Sequence, residues 1–128
     1  MKYIISTLLV VFAASFNACI GQEPNTIRIL PVQDYSVQIQ KTVPLQLIDV
    51  RTPDEYAQGH LPQAENVNVL AEDFEERMSS YDKEQPIYIY CQSGNRSKKA
   101  AAKLAEMGFT QIFDLQGGFK NWTGDIEQ

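Results

Sequence analysis

Two apolar runs constrain this chain more than any other feature. Leu45 to Val50 is near-continuous in apolar character, and Ile87 to Tyr90 is unbroken. Such runs mark strands buried on both faces of a parallel sheet. Helical spacing lies around them. Val32, Tyr35 and Ile39 predict a helix over Val32 to Gln40 that opens at Pro31. Ala100, Ala101, Leu104, Ala105 and Met107 form the apolar stripe of a helix over Ser97 to Met107, with Gly108 as its C′ residue. Thr52, Pro53 and Glu55 read as the cap, first and third positions of a short helix that stops by Gly59. Shorter pieces complete the series. They are strands at Ile27 to Leu30, Val67 to Val69 and Ile112 to Leu115, an acidic helix at Asp73 to Ser80 with Phe74 and Met78 inward, and a terminal helix starting at Phe119. Strands alternating with helices predict an α/β fold: a three-layer α/β/α sandwich around a central parallel sheet.

The segment Cys91-Gln92-Ser93-Gly94-Asn95-Arg96-Ser97 joins the central strand to the longest helix. It places a thiol at the carboxyl end of a strand, where ligands of open α/β sheets bind. Helix N-termini and runs of backbone N–H groups favour negative charge, so sulfur there is suited to act as a nucleophile. Gly94 suits a tight turn. Ser93 and Ser97 can add hydroxyl donors, with Ser97 expected chiefly as a helix cap. Arg96 offers a fork for an oxyanion. Lys98, Lys99 and Lys103 read either as a solvated helix face or as a positive collar.

The chain has 128 residues, enough for one domain. Lys2 followed by the apolar stretch Ile4 to Ala14 has the length of a secretory signal and is too short to span a membrane. Phe16-Asn17-Ala18-Cys19 resembles a bacterial lipoprotein cleavage site, which would leave Cys19 lipidated. Ordinary cleavage, for instance after Ser15, is the alternative. The expected organisation is a signal peptide at 1–18, a tether at 19–25, a folded domain at 26–124 and a tail at 125–128. Export to the periplasm or cell envelope follows, with the membrane reached only through a lipid anchor. There are two cysteines. With one at the signal boundary, a structural disulfide is not expected, and Cys91 stands as a free thiol calling for a catalytic explanation. The net charge of −5 and the lack of an extended basic patch argue against nucleic acid.

Several separated segments together resemble the rhodanese family. Leu47-Ile48-Asp49-Val50-Arg51-Thr52-Pro53-Asp54-Glu55-Tyr56 with Gly59-His60-Leu61-Pro62 is similar to its first signature. Ile87 to Ser97 is similar to its active-site strand and loop. Met107-Gly108-Phe109 and Leu115-Gln116-Gly117-Gly118-Phe119-Lys120-Asn121-Trp122 resemble its closing segments. The resemblance implies a single rhodanese domain with sulfurtransferase chemistry. Cys91 would take the outer sulfur of a small anionic donor such as thiosulfate, or of a persulfide, and pass it to a thiol acceptor, for instance a thioredoxin-like protein. Gln92, Ser93, Gly94, Asn95, Arg96 and Ser97 would bind the donor. No metal and no cofactor beyond the covalent persulfide is implied, and the chain is expected to be a monomer. Asp49 and Arg51 are read as a supporting pair, His60 as a hydrogen-bonded turn residue, and Trp122 as core.

Two other functional classes compete. A phosphatase or arsenate reductase would use a Cys/Arg loop, but such loops read Cys-x5-Arg, and here four residues separate Cys91 from Arg96. A non-catalytic binding module has no need of the nucleophile that this chain keeps.

Overall fold

The computed structural model describes residues 25–128. The expected signal segment 1–18, Cys19 and all but the last residue of the tether lie outside the described residues. Five strands form one sheet: β1 (Thr26–Leu30), β2 (Leu47–Asp49), β3 (Glu65–Asn66), β4 (Ile87–Tyr90) and β5 (Gln111–Leu115). Their spatial order is β1-β5-β4-β2-β3, and every pairing is parallel. The two apolar runs are therefore neighbours, with Leu47 opposite Tyr88 and Asp49 opposite Tyr90. Both strands are buried along their whole length, as strands covered on both faces must be.

Alternation of side chains across the sheet sorts the core into two halves. On one face Ile48, Ile87, Ile89 and Ile112 pack with Phe74 and Met78 of α3 (Phe74–Met78) and with Ala100, Ala101 and Leu104 of α4 (Asn95–Met107). On the other face Leu47, Tyr88, Tyr90 and Leu115 pack with Tyr35 of α1 (Val32–Lys41), Tyr56 of α2 (Pro53–Gln58) and the partly buried Phe119 and Trp122. This is the expected three-layer sandwich.

Local chemistry sets most boundaries as read from sequence. Thr52 and Glu55 make the full capping box, with Pro53 at the first turn of α2. Gly108 ends α4 in the left-handed region at φ 101°. Several boundaries move by one or two residues: β2 is Leu47–Asp49 within the expected run Leu45 to Val50, and α3 is Phe74–Met78 within Asp73 to Ser80. Two further shifts have identifiable causes. The third strand is Glu65–Asn66 rather than Val67–Val69. Val67 and Val69 still donate to the carbonyls of Asp49 and Val50, but their buried side chains dip into the core beside α3. The long helix begins at Asn95 rather than Ser97, because Gly94 at φ 98° turns the chain into it without any side-chain cap. The turn between β4 and α4 is thereby shortened to Cys91 through Gly94, with Asn95, Arg96 and Ser97 in the first helical turn.

Leu104 is fully buried between α4 and the sheet. Leu104→Ala should cost about 2–5 kcal/mol of unfolding free energy, measured by urea denaturation; a loss below about 1 kcal/mol would contradict this packing.

Candidate active site

Cys91 leaves the end of β4 with 1% of its surface exposed, and it is the free cysteine among the described residues. The Gly94 amide donates to its Sγ at 3.1 Å, and the Ser97 hydroxyl lies 3.4 Å from the same atom. The cradle of several amides anticipated from sequence is thus, in this state, one amide and one hydroxyl. The turn is fixed from the opposite side. Phe119 and Lys120 donate their backbone N–H groups to the carbonyls of Cys91 and Gln92, at 2.7 and 3.1 Å. That clamp demands a residue without a side chain at 118. A Cβ on Gly118 would lie 2.5 Å from the Cys91 carbonyl oxygen, and the residue sits at φ 68°.

Arg51 supports the turn from β2. Its Nε and Nη2 bind the Asp49 carboxylate, the shortest contact being 2.6 Å. Nη2 also donates to the Gly59 carbonyl and Nη1 to the Gln92 side chain. The guanidinium stacks 4.2 Å from the Phe119 ring centroid. Asp49 and Arg51 therefore join the strand end, the end of α2, the cysteine turn and the closing 3-10 turn (Phe119–Asn121). His60 is hydrogen-bonded as expected, its Nδ1 pairing with the Tyr56 carbonyl and its ring stacking on Tyr56, but its backbone forms an antiparallel bridge with Glu127 rather than a turn. Trp122 packs against the core formed by Tyr35, Leu47 and Tyr88.

Arg96 has a partner that sequence spacing did not reveal. Both of its terminal nitrogens bind Glu55, at 2.7 and 2.9 Å. Arg96 and the Thr52 cap together hold the Glu55 carboxyl down at about 2, so the pair stays ionised across the neutral range. Gln92 is tied to Arg51, whereas Ser93 and Asn95 stand exposed. Lys98 and Lys99 are exposed, and Lys103 lies over the Phe74 ring. A depression of about 340 Å³ bounded by Arg51, Glu55, Gly59, Gln92 and Phe119 lies on one side of the turn. Another, of about 200 Å³, lies on the other side among Ser93, Gly94, Lys98 and Asp114.

Ser97 does not cap the helix. It is the third residue of α4, fully buried, where its hydroxyl donates to Asp114 Oδ2 at 3.0 Å. Asp114 was not anticipated, because it belongs to an otherwise apolar strand. Period-two alternation places it on the same face as Ile112, towards α4, and it is 2% exposed. The available signal was a charged residue inside the run Ile112 to Leu115. Burial pushes its carboxyl up to about 6, against the opposing influence of Ser97 and Lys98. A carboxyl raised on folding stabilises the protein fully below its unfolded value near 3.8, and that contribution is lost as pH rises through about 6. Asp114→Asn should therefore be more stable than wild type at about pH 8, by on the order of 1–3 kcal/mol, with the difference shrinking towards about pH 4. Denaturant titrations at the two pH values check this; a pH-independent difference would contradict it.

Comparison with known proteins agrees with this architecture. The rhodanese-like domain family matches residues 32–125. The protein YqhL of Bacillus subtilis is 33% identical over 123 residues, covering 94% of each chain. The thiosulfate sulfurtransferase GlpE of Pseudomonas fluorescens is 35% identical over 96 residues, covering 74% of this chain and 83% of its own. The crystal structure of a rhodanese-like domain protein from Staphylococcus aureus superposes with a TM-score of 0.69 at 26% identity, covering 78% of this chain and 96% of that one. With the family matched over most of its length and the fold reproduced, this chain belongs to the rhodanese-like domain family.

Proposed function

We propose that this protein is a sulfurtransferase that carries a single sulfane sulfur on Cys91. The observation that carries the reading is the buried Cys91 sulfur, hydrogen-bonded by the Gly94 amide at the carboxyl edge of the sheet and fixed from behind by the amides of Phe119 and Lys120. In the first half-reaction the Cys91 thiolate attacks the outer sulfur of an anionic donor such as thiosulfate. A new S–S bond forms, the donor S–S bond breaks, and sulfite leaves with the electron pair. In the second, an acceptor thiolate attacks the terminal sulfur and Cys91 leaves as thiolate. No outside oxidant or reductant enters either step. The likeness to a relative named as a thiosulfate sulfurtransferase supports the same reading.

The state of Arg96 favours sulfur over phosphate. A phosphate-handling Cys/Arg loop needs a guanidinium turned to the tetrahedral oxyanion, and here both terminal nitrogens are already held by Glu55. A terminal persulfide sulfur asks only for nearby N–H and O–H donors.

Wild-type protein incubated with thiosulfate should gain the mass of one sulfur atom on the Cys91 peptide and lose it on addition of cyanide. Cys91→Ser should lower thiocyanate production by at least about 10³-fold with an unchanged circular dichroism spectrum. Retained turnover in that variant would refute the assignment. The proposal extends to location: the chain works outside the cytoplasm, tethered through Cys19 and serving a small thiol or a thioredoxin-like acceptor. Full-length protein should partition into the detergent phase and Cys19→Ser into the aqueous phase; identical partitioning would refute the anchor.

A further inference from the structure

Three groups from three different elements lie in line beneath the cysteine turn. Cys91 Sγ at the end of β4 is 3.4 Å from Ser97 Oγ in the first turn of α4, which is 3.0 Å from Asp114 Oδ2 in β5. All three residues are at least 98% buried. The thiol donates to the hydroxyl and the hydroxyl to the carboxylate, with the Gly94 carbonyl as a longer second acceptor at 3.3 Å. The other carboxylate oxygen, Oδ1, is buried without a hydrogen-bond partner among the described residues. An ionised carboxylate spreads its charge over both oxygens and suffers when one has no donor. A proton on Oδ2 would leave Oδ1 a neutral carbonyl oxygen, whose unmet acceptor costs less.

We propose that Asp114 stores the proton of Cys91, received through the Ser97 hydroxyl, so that the turn carries its negative charge on sulfur. The S–H bond of Cys91 breaks and its proton joins Ser97 Oγ as the Ser97 proton joins Asp114 Oδ2. The electron pair stays on sulfur and nothing is oxidised or reduced. Before the shift, Ser97 can only accept from the thiol. After it, Asp114 donates to Ser97, and Ser97 donates to the anionic sulfur. The hydroxyl thus turns from an acceptor into a second donor beside the Gly94 amide at the moment the charge arrives. Asp114 acts through Ser97 and is a positioning residue.

The surroundings admit this exchange. Burial disfavours the carboxylate, and Ser97, Lys98 of α4 and the Leu115 amide favour it less strongly, leaving the group near 6. Burial chiefly, with Tyr90 and this same carboxylate, holds the phenol of Tyr35 of α1 neutral. From β1, the residue in register is the apolar Ile29. Two negative charges beneath one turn repel, so a proton on Asp114 eases the charge on sulfur.

The inference rests on Cys91 being the nucleophile of the proposed transfer, but its test requires no sulfur turnover. Thiolate absorbance at 240 nm, taken as the difference from Cys91→Ser, is followed against pH in the folded protein. Wild type should rise in two steps, the first reaching at least about a tenth of the final signal. Asp114→Asn and Ser97→Ala should each show a single step, whereas Ser97→Thr, which keeps the hydroxyl, should retain two. A single step in wild type overturns the proposal, as does an unchanged two-step profile in Ser97→Ala. The serine variant leaves the carboxyl in place and decides the matter if Asp114→Asn does not fold. Loss of sulfur transfer with the two-step profile intact would instead count against the function.

Discussion

A guanidinium buried at the carboxyl edge of the sheet holds together the segments that surround the reactive sulfur. Removing an arginine and an aspartate from water costs several kcal/mol per ion, a cost offset only when the remaining donors also find partners. Arg51 meets that condition. Asp49 takes two of its nitrogens, the Gly59 carbonyl and the Gln92 amide oxygen take further hydrogens, and the Phe119 ring covers one face. The pair is better read as a geometric fixture than as a source of net stability. It makes the end of α2, the cysteine turn and the closing 3-10 turn share one reference point, so a shift in any of them disturbs the others.

That fixture works together with a backbone clamp. The carbonyls of Cys91 and Gln92 are turned towards the amides of Phe119 and Lys120. A planar trans peptide points its N–H opposite to its C=O, so the N–H groups that follow these carbonyls face away from the 3-10 turn. The direction of the turn's dipoles is thus set by residues almost thirty positions later in the chain. Gly118 is what lets the two backbones approach.

What was legible in the sequence was local. Apolar runs gave β2 and β4, the 3.6 period gave α1 and α4, and cap chemistry gave α2 and the end of α4. Cys91 stood out because a thiol between an apolar strand and a helix has few other uses. The start of α4 was misread because its turn is made by a bare glycine, which leaves no side-chain signature, while Ser97 looked like a cap. The remaining details depend on pairs remote in sequence. Glu55 is 41 residues from Arg96, and Ser97 is 17 from Asp114. Asp114 broke the apolar pattern of its strand, but only the fold shows that its face is the one beneath Cys91.

The charges around the turn follow one logic. Arg51 is neutralised by Asp49 and Arg96 by Glu55, so neither arginine offers an uncommitted fork to a bulky dianion. In the proposed transfer, an anionic donor would have to draw Arg96 from Glu55 or rely on the exposed Lys98 and the N-terminus of α4. Both options favour a weak, exchangeable hold on the donor over a tight one. A carrier that must release the desulfured anion and then admit a thiol gains from that weakness, because the ground state is not made too stable. The close contacts are reserved for the Cys91 sulfur, where the Gly94 amide and the Ser97 hydroxyl meet the atom that would bear the transferred sulfur.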